Sequence, residues 1–210
     1  MLETALKSFT TFLATIGPVE AAVLFATLTP RMDRAERRGI AIRASVIATI
    51  ILLTFTLLGG PLLVQLGVSL AALQTAGGVI LLMLSIDMVF ARPGSVLKLT
   101  PTEDEEAHTR EDMAVFPLAT PLLAGPGAMS AGILLAANAA HEPFGLAVVT
   151  AALLAVMAIT LALLIAAHEF NSMISLTAQR VLVRVFGILL AALAVQAVFN
   201  GIAASGLLRA

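Results

Sequence analysis

The chain has 210 residues, of which 60% are hydrophobic and only 12% are charged, and its formal net charge is −1. An ordinary soluble domain carries about 25% charged residues on its surface, so this composition excludes a soluble enzyme and indicates a membrane protein. The absence of cysteine excludes disulfides and thiolate metal sites. The nearly neutral charge gives no indication of a nucleic-acid partner.

Stretches without charged residues predict where the chain crosses the bilayer, because a crossing helix needs about 20 apolar residues. Residues 45–86 carry no charge and are long enough for two helices, with a turn at residues 66–69. The first segment is apolar except for Glu20 at its centre. The sequence therefore predicts an all-α membrane protein with six transmembrane helices. In chain order the predicted spans are residues 8–30, 42–65, 70–91, 113–137, 144–168 and 183–206.

The basic residues predict the orientation, because cytoplasmic loops are enriched in Lys and Arg. With six spans, only Lys7 and Arg209 of the 12 basic residues lie on the side that holds both termini. The other ten lie on the opposite side, which we therefore expect to be cytoplasmic. The expected location is a bacterial inner membrane, with both termini on the periplasmic or exterior side. The ten are Arg31, Arg34, Arg37, Arg38, Arg43, Arg92, Lys98, Arg110, Arg180 and Arg184.

A charged segment divides the chain into two parts. Residues 92–112 contain an acidic run at residues 103–106 and separate residues 1–91 from residues 113–210. We interpret this segment as a solvated cytoplasmic linker between two three-helix units. A cation site at the acidic run is the less favoured interpretation.

The two parts of the chain are similar to each other. A shift of 108 residues places Gly17-Pro18 on Gly125-Pro126, and a shift of 109 residues places residues 78–90 on residues 187–199. In the second match Asp87 falls on Gln196. Three spans in each half place the second half in the membrane with the opposite orientation, so the sequence predicts two inverted-topology repeats. Such repeats are typical of secondary transporters, although channels and some enzymes also contain them.

Paired helix breaks predict a binding site near the middle of the membrane. Proline in a helix interior removes an N–H donor and interrupts the helix, and in lipid the freed groups need other partners. The predicted breaks in helices 1 and 4 lie at corresponding places, Gly17-Pro18 and Pro121 with Gly125-Pro126-Gly127. Paired breaks of this kind mark transporter substrate sites. Two proline kinks that serve only packing are the alternative interpretation.

Two carboxylic acids lie well inside the predicted spans. Glu20 and Asp87 would each be costly in lipid, so each must contact protein or water or carry a proton. Because Glu20 lies directly after the first break, we expect it to meet a substrate ammonium group or to couple transport to protons. Asp87 is the second candidate for proton coupling, unless it is an interfacial charge near Arg92. Gln196 and Asn200 are secondary site candidates, with bonding to neighbouring helices as the alternative.

Catalytic and cofactor motifs are missing from the sequence. His108, His141 and His168 are far apart and no pair has ligand spacing. There is no H-E-x-x-H, no G-x-S-x-G and no phosphate-binding G-x-x-x-x-G-K-[ST] sequence. We therefore predict no enzymatic activity, no catalytic residue, no metal and no cofactor.

Three segments resemble the MarC family of bacterial membrane proteins, which includes the SnatA-type neutral amino acid transporters. Residues 116–128 (FPLATPLLAGPGA) are similar to the family's P-L-A-x-P-x-x-A-G-P-G stretch, and residues 77–81 (GGVIL) to its third-helix motif. Residues 184–190 (RVFGILL), with Val195-Gln196 and residues 200–202 (NGI), resemble its closing segment. The resemblance extends over nearly the whole chain.

The resemblance implies six spans, inverted repeats and transport of glycine, alanine, serine or threonine. One position departs from the family pattern, because the first break commonly reads Asn-Pro and here reads Gly17-Pro18, followed by Glu20. This exchange leaves the substrate and the coupling ion open, as are the direction of transport and the oligomeric state. The expected partners are a small amino acid, the lipid bilayer and protons. A passive pore for small solutes and a structural or signalling subunit without transport are the competing hypotheses.

Overall fold

The computed structural model describes residues 1–29, 32–90, 113–140, 143–171 and 176–206. The chain in these ranges forms helices joined by short turns and contains no strand. The predicted linker, residues 92–112, lies outside the described residues, so the division into residues 1–91 and 113–210 stays a prediction. The helices are α1 (Leu2–Ile16), α2 (Pro18–Leu28), α3 (Arg34–Gln65), α4 (Leu70–Phe90), α5 (Ala114–Leu123, irregular), α6 (Pro126–Ala139), α7 (Gly145–Asn171) and α8 (Leu176–Ala204).

Several helix ends follow directly from local sequence. Helix α3 begins with a capping box, in which the Asp33 side chain accepts from the Glu36 N–H and the Glu36 side chain accepts from the Asp33 N–H. Two donors at the helix start are thereby satisfied. Helix α3 therefore starts before the apolar span that was predicted from residue 42. The predicted turn at residues 66–69 is confirmed, with Gly67 at a φ of 65°.

Four described helices are long and apolar enough to cross a membrane. They are Leu2–Ala26, taken across the break at Gly17, and Arg34–Gln65, Gly145–Ala167 and Gly187–Ala204. The pair α5 and α6, bent by 52°, makes a fifth if it counts as one span. The remaining expected span corresponds to α4, whose apolar stretch Leu70–Ile86 is shorter than the other four. The structure thus has four or five candidate spans where the sequence predicted six.

The helices of the two halves exchange partners in a reciprocal way. Helices α1 and α2 pack mainly on α7, while α5 and α6 pack mainly on α3. Helices α4 and α8 form the most extensive contact among the described elements. Gly78 lies against Val198, and Gly201 lies against Thr75, so the two helices run antiparallel where they touch. Missing side chains at these glycines let the two backbones approach closely.

The core lies along the broken helices, and apolar side chains also cover the outside. Phe12, Leu52, Leu118 and Leu153 are fully buried. Helices α3 and α6 approach closely where Gly132 faces the Thr56 side chain. The exposed large hydrophobic side chains lie along all the long helices, which is the surface expected of a protein surrounded by lipid. Examples are Ile50, Leu58, Ile80, Met83, Ile188 and Leu193.

A cavity between two helix breaks

The first break is a single residue. Gly17 ends α1 with φ 59° and ψ 62°, a left-handed conformation, and its N–H bonds to the Leu13 carbonyl at 3.2 Å. Glycine adopts this conformation without a steric cost. Pro18 then occupies the first position of α2, where its missing N–H has no helical partner to lose. The break predicted at Gly17-Pro18 is therefore present.

The second break is longer and starts earlier than predicted. Phe116 (φ −131°, ψ 128°) and Thr120 (φ −131°, ψ 132°) have extended backbones inside α5. Each precedes a proline, Pro117 or Pro121, and the proline ring excludes the helical conformation of the residue before it. After Ala124 the chain bends, and α6 starts with Gly125 as its N-cap and Pro126 at its first position. The interruption therefore extends over residues 116–125, whereas the prediction began at Pro121.

The starts of α2 and α6 have the same construction. Each has a glycine N-cap without a capping side chain, followed by proline. The first backbone N–H groups after the proline have no acceptor within the helix. They belong to Val19 and Glu20 in α2, and to Gly127 and Ala128 in α6. Such helix starts carry partial positive charge and free donors, which favour an anion.

Helix α4 holds the second break in place. The Gly77 backbone packs directly on the Pro126 ring, and a β-carbon at position 77 would overlap that ring. The neighbouring Gly78 packs on α8, so α4 joins the second break to the last helix. In the sequence, Gly77-Gly78 stands out only as part of a motif that resembles the family's third helix. The contact of Gly77 with Pro126 was not predicted.

A cavity of about 260 Å³ lies between the two breaks. Six of the seven predicted substrate-binding residues line it, and the seventh, Pro18, is buried and is not part of the wall. The secondary candidates Gln196 and Asn200 also line it. Asp87 lies in α4, but its side chain is outside the described part of the structure. The six are Gly17, Glu20, Pro121, Gly125, Pro126 and Gly127.

Two polar residues of the cavity wall were not predicted from the sequence. Gln74 of α4 is half-buried, and Thr15 lies two residues before Gly17. The Thr15 hydroxyl donates to the Thr11 carbonyl at 2.8 Å. Gln74 was overlooked because a single amide in an apolar helix gives no local signal. Its position in the cavity depends on the packing of α4.

The charge in the cavity is one-sided. Among the described residues of the cavity wall, Glu20 is the one acid and none is basic. Its Oε2 atom lies 2.5 Å from the position that a β-carbon on residue 17 would occupy, so the carboxylate folds back over the first break. Among the described residues none donates a hydrogen bond to this carboxylate. The first turn of α6 contains no acid.

The remaining polar groups are amides on the wall formed by α4 and α8. The Gln196 Nε2 donates to Asn200 Oδ1 at 2.9 Å, one helical turn apart. Both side chains are exposed to the cavity side of the helix. Together with Gln74 they supply neutral donors and acceptors, which can bind a polar ligand but cannot neutralise Glu20. Among the described residues no group of His, Asp or Glu side chains is arranged to hold a metal ion.

The fold and the cavity define a multi-pass helical membrane protein organised around two broken helices. The chain matches the model of the MarC family of integral membrane proteins over residues 2–205. The chain belongs to this family.

Relatives from archaea and bacteria cover nearly the whole chain. A UPF0056 membrane protein of Methanocaldococcus jannaschii is 36% identical over 201 residues, covering 96% of this chain and 97% of that protein. One from Archaeoglobus fulgidus is 35% identical, covering 93% and 91%. The UPF0056 membrane protein YvbG of Bacillus subtilis is 28% identical, covering 92% of each. These names state a membrane location and no activity or substrate. No solved structure matches the chain.

Proposed function

We propose that the protein is a secondary transporter of small neutral amino acids such as glycine, alanine, serine or threonine. The observation that supports this most directly is the cavity of about 260 Å³ lined by both helix breaks. Pockets for drug-sized ligands occupy about 300–1,000 Å³, so a smaller metabolite suits this volume. Helix breaks that meet at a cavity are a recurring feature of transporter substrate sites.

The unequal charge of the two breaks supports a zwitterionic substrate. An α-carboxylate fits the acid-free start of α6, where the Gly127 N–H and the helix dipole favour an anion. An α-ammonium group fits the Glu20 carboxylate, which faces no basic residue among the described part of the cavity wall. A substrate side chain then meets the amides Gln74, Gln196 and Asn200, which tolerate small polar or apolar groups.

In this proposal Glu20 also carries the proton that couples transport to a gradient. A carboxylate at the substrate site that binds either an ammonium group or a proton links the two movements. Asp87, in α4, is the second candidate for this role. The proposal includes the bacterial inner, or plasma, membrane as the location and no enzymatic activity.

We further propose that the chain crosses the membrane six times as two inverted repeats with both termini outside. The reciprocal packing of α1 and α2 on α7 and of α5 and α6 on α3 supports this arrangement. The antiparallel contact of α4 with α8 supports it too, because the third helices of inverted repeats run in opposite directions. In this arrangement α4 also crosses the membrane, as the third span in chain order, which brings the number of spans to six. Its apolar stretch is shorter than those of the four long candidate spans.

The native chain contains no cysteine, so single cysteines report topology without background labelling. A cysteine replacing Val68, in the turn between α3 and α4, should react with an impermeant maleimide in intact cells. A cysteine replacing Ser95, in the linker, should react only after permeabilisation. Labelling of both positions from outside, or of neither, would contradict six spans with external termini.

Transport itself is tested in vesicles that contain the purified full-length protein. We expect saturable uptake of labelled glycine or alanine, which Pro126→Leu abolishes because it removes the rigid start of α6. Pro61→Leu is the matched control, since Pro61 lies within α3 and outside the cavity wall. Flux that does not saturate would support a passive pore instead. No flux over a broad amino acid panel would reject transport of amino acids.

A further inference from the structure

A second cavity, of about 390 Å³, lies between the start of α3 and the C-terminal half of α7. Its two walls differ in chemistry. One wall is basic and the other is apolar, and none of the described residues that line the cavity is acidic. The basic wall consists of Arg34, Arg37 and Arg38, and the apolar wall consists of Ala162, Leu164, Ile165 and Ala166.

Arg37 is built into the protein rather than extended into solvent. Its side chain is only 5% exposed, and its Nη2 donates a hydrogen bond to the Thr29 carbonyl at the end of α2. A guanidinium at this position also interacts favourably with the negative end of the α2 dipole. The charge of Arg37 is therefore held at the cavity wall in a defined position.

Arg34 and Arg38 are the exposed members of the basic wall. In the described ranges, neither forms an ion pair. The nearest acids in sequence, Asp33 and Glu36, bond to backbone N–H groups in the α3 capping box and do not line the cavity. Among the described residues of the cavity wall, Arg34 and Arg38 thus face no carboxylate, which favours an anionic ligand.

The length of α3 places this cavity at the surface of the membrane. Helix α3 contains 32 residues, which at about 1.5 Å per residue exceeds the about 30 Å thickness of the hydrocarbon layer. The arginines occupy its first two turns, where their charge requires contact with water or headgroups. The apolar wall continues along α7 from there, and Ile165 on it is 41% exposed.

We propose that this cavity is a binding site for one anionic phospholipid. The phosphate of the headgroup lies against Arg34 and Arg38, beside the fixed charge of Arg37, and an acyl chain lies along Ala162, Ile165 and Ala166. Basic pockets between transmembrane helices recognise anionic headgroups in this way. The amphipathic walls favour a lipid over a free anion, because a free anion leaves the α7 wall without a partner.

The test is native mass spectrometry of the full chain in detergent, with phosphatidylglycerol and phosphatidylcholine titrated separately. We expect phosphatidylglycerol to bind with a stoichiometry of one and phosphatidylcholine to bind only weakly. Replacing both exposed arginines, Arg34→Gln with Arg38→Gln, should weaken phosphatidylglycerol binding by about 30-fold. The matched control removes two exposed charges outside the cavity, Arg184→Gln with Lys7→Gln, and should bind like the native chain.

Two further experiments distinguish binding of a whole lipid from binding of its headgroup alone, and a loss of binding from a loss of folding. Glycerol 3-phosphate and inorganic phosphate should fail to compete at concentrations where phosphatidylglycerol saturates. Single substitutions Arg34→Gln and Arg38→Gln, each checked for an unchanged melting temperature, should give intermediate losses. Equal binding of the two lipids, competition by inorganic phosphate, or equal losses in the cavity and control variants would each overturn the proposal.

Discussion

The two helix breaks end alike and differ in charge and in the chain that leads to them. Both continue with a glycine N-cap and a proline at the first helical position. The first break is one left-handed glycine, covered by the Glu20 carboxylate. The second follows an irregular segment with two extended residues and contains no acid. The two helix starts therefore share one backbone construction and differ in charge, because the Glu20 carboxylate lies over the first of them.

The largest expected effect comes from disturbing the second break at its support. Gly77→Ala places a β-carbon inside the Pro126 ring, so α4 or α6 must move. Overpacking of this kind costs about 1–3 kcal/mol, and we expect a lower melting temperature together with loss of vesicle uptake. Gly60→Ala is the matched control, since a β-carbon there meets nothing within 4 Å. Equal behaviour of the two variants would contradict the contact.

Removing the charge of the first break should weaken substrate binding without unfolding the protein. Glu20→Gln keeps the size of the side chain but loses a charge-assisted contact with an ammonium group. Because the Glu20 side chain is exposed, we expect the lower end of the usual range, about a tenfold rise in the apparent KM. Glu3→Gln, an exposed acid in the first turn of α1, is the control.

The pH profile of the same variant tests proton coupling separately from binding. If Glu20 carries the coupled proton, Glu20→Gln should make uptake independent of the external pH. Asp87→Asn should then leave the pH dependence in place. A pH profile that is unchanged in Glu20→Gln and lost in Asp87→Asn would transfer the coupling role to α4.

Position 17 tests whether the two residues of the first break act together. Asparagine tolerates the left-handed backbone of Gly17, but its β-carbon would lie 2.5 Å from the present position of Glu20 Oε2. We expect Gly17→Asn to move the carboxylate and to raise the KM by a few-fold. In the Glu20→Gln background the same change should have little effect, which a double-mutant cycle measures. Additive losses would separate the two residues.

The smallest expected effect is a change in selectivity at the second break. A β-carbon on Gly127 meets nothing within 4 Å, so Gly127→Ala should fold normally and narrow the cavity. We expect transport of threonine to fall more than transport of glycine, by a factor of two to three at most. Competition of the two amino acids for labelled alanine uptake measures the ratio. An equal decrease for both would argue that Gly127 lies away from the substrate.

The Gly-Pro pairs made both breaks predictable, because proline and glycine act through local backbone geometry. The sequence also contains the signal for the earlier start of the second break, which was not predicted. Phe116 and Thr120 each precede a proline, which disfavours a helical backbone there. The start of α3 was missed because charge-free stretches locate the apolar part of a helix and not its capped, charged first turn.

The position of Gln74 could not be predicted from the sequence in the same way. Its place in the cavity wall depends on how α4 packs against the second break and α8, which is a long-range property. The same holds for the packing of each broken helix on a helix of the other half. The similarity of the two halves does not tell which helices pack together. Local chemistry therefore predicted where the helices break, and packing determined what surrounds the breaks.

The most direct test of the central claim is counterflow in vesicles with three small ligands: glycine, methylamine and acetate. Glycine carries both charges, methylamine only the ammonium group and acetate only the carboxylate. A site between the Glu20 carboxylate and the α6 start predicts that glycine alone drives saturable exchange, with both single-charge ligands at least tenfold weaker as competitors, in line with about 1.4 kcal/mol per lost contact. Competition by methylamine or acetate equal to that of glycine would contradict the two-ended site.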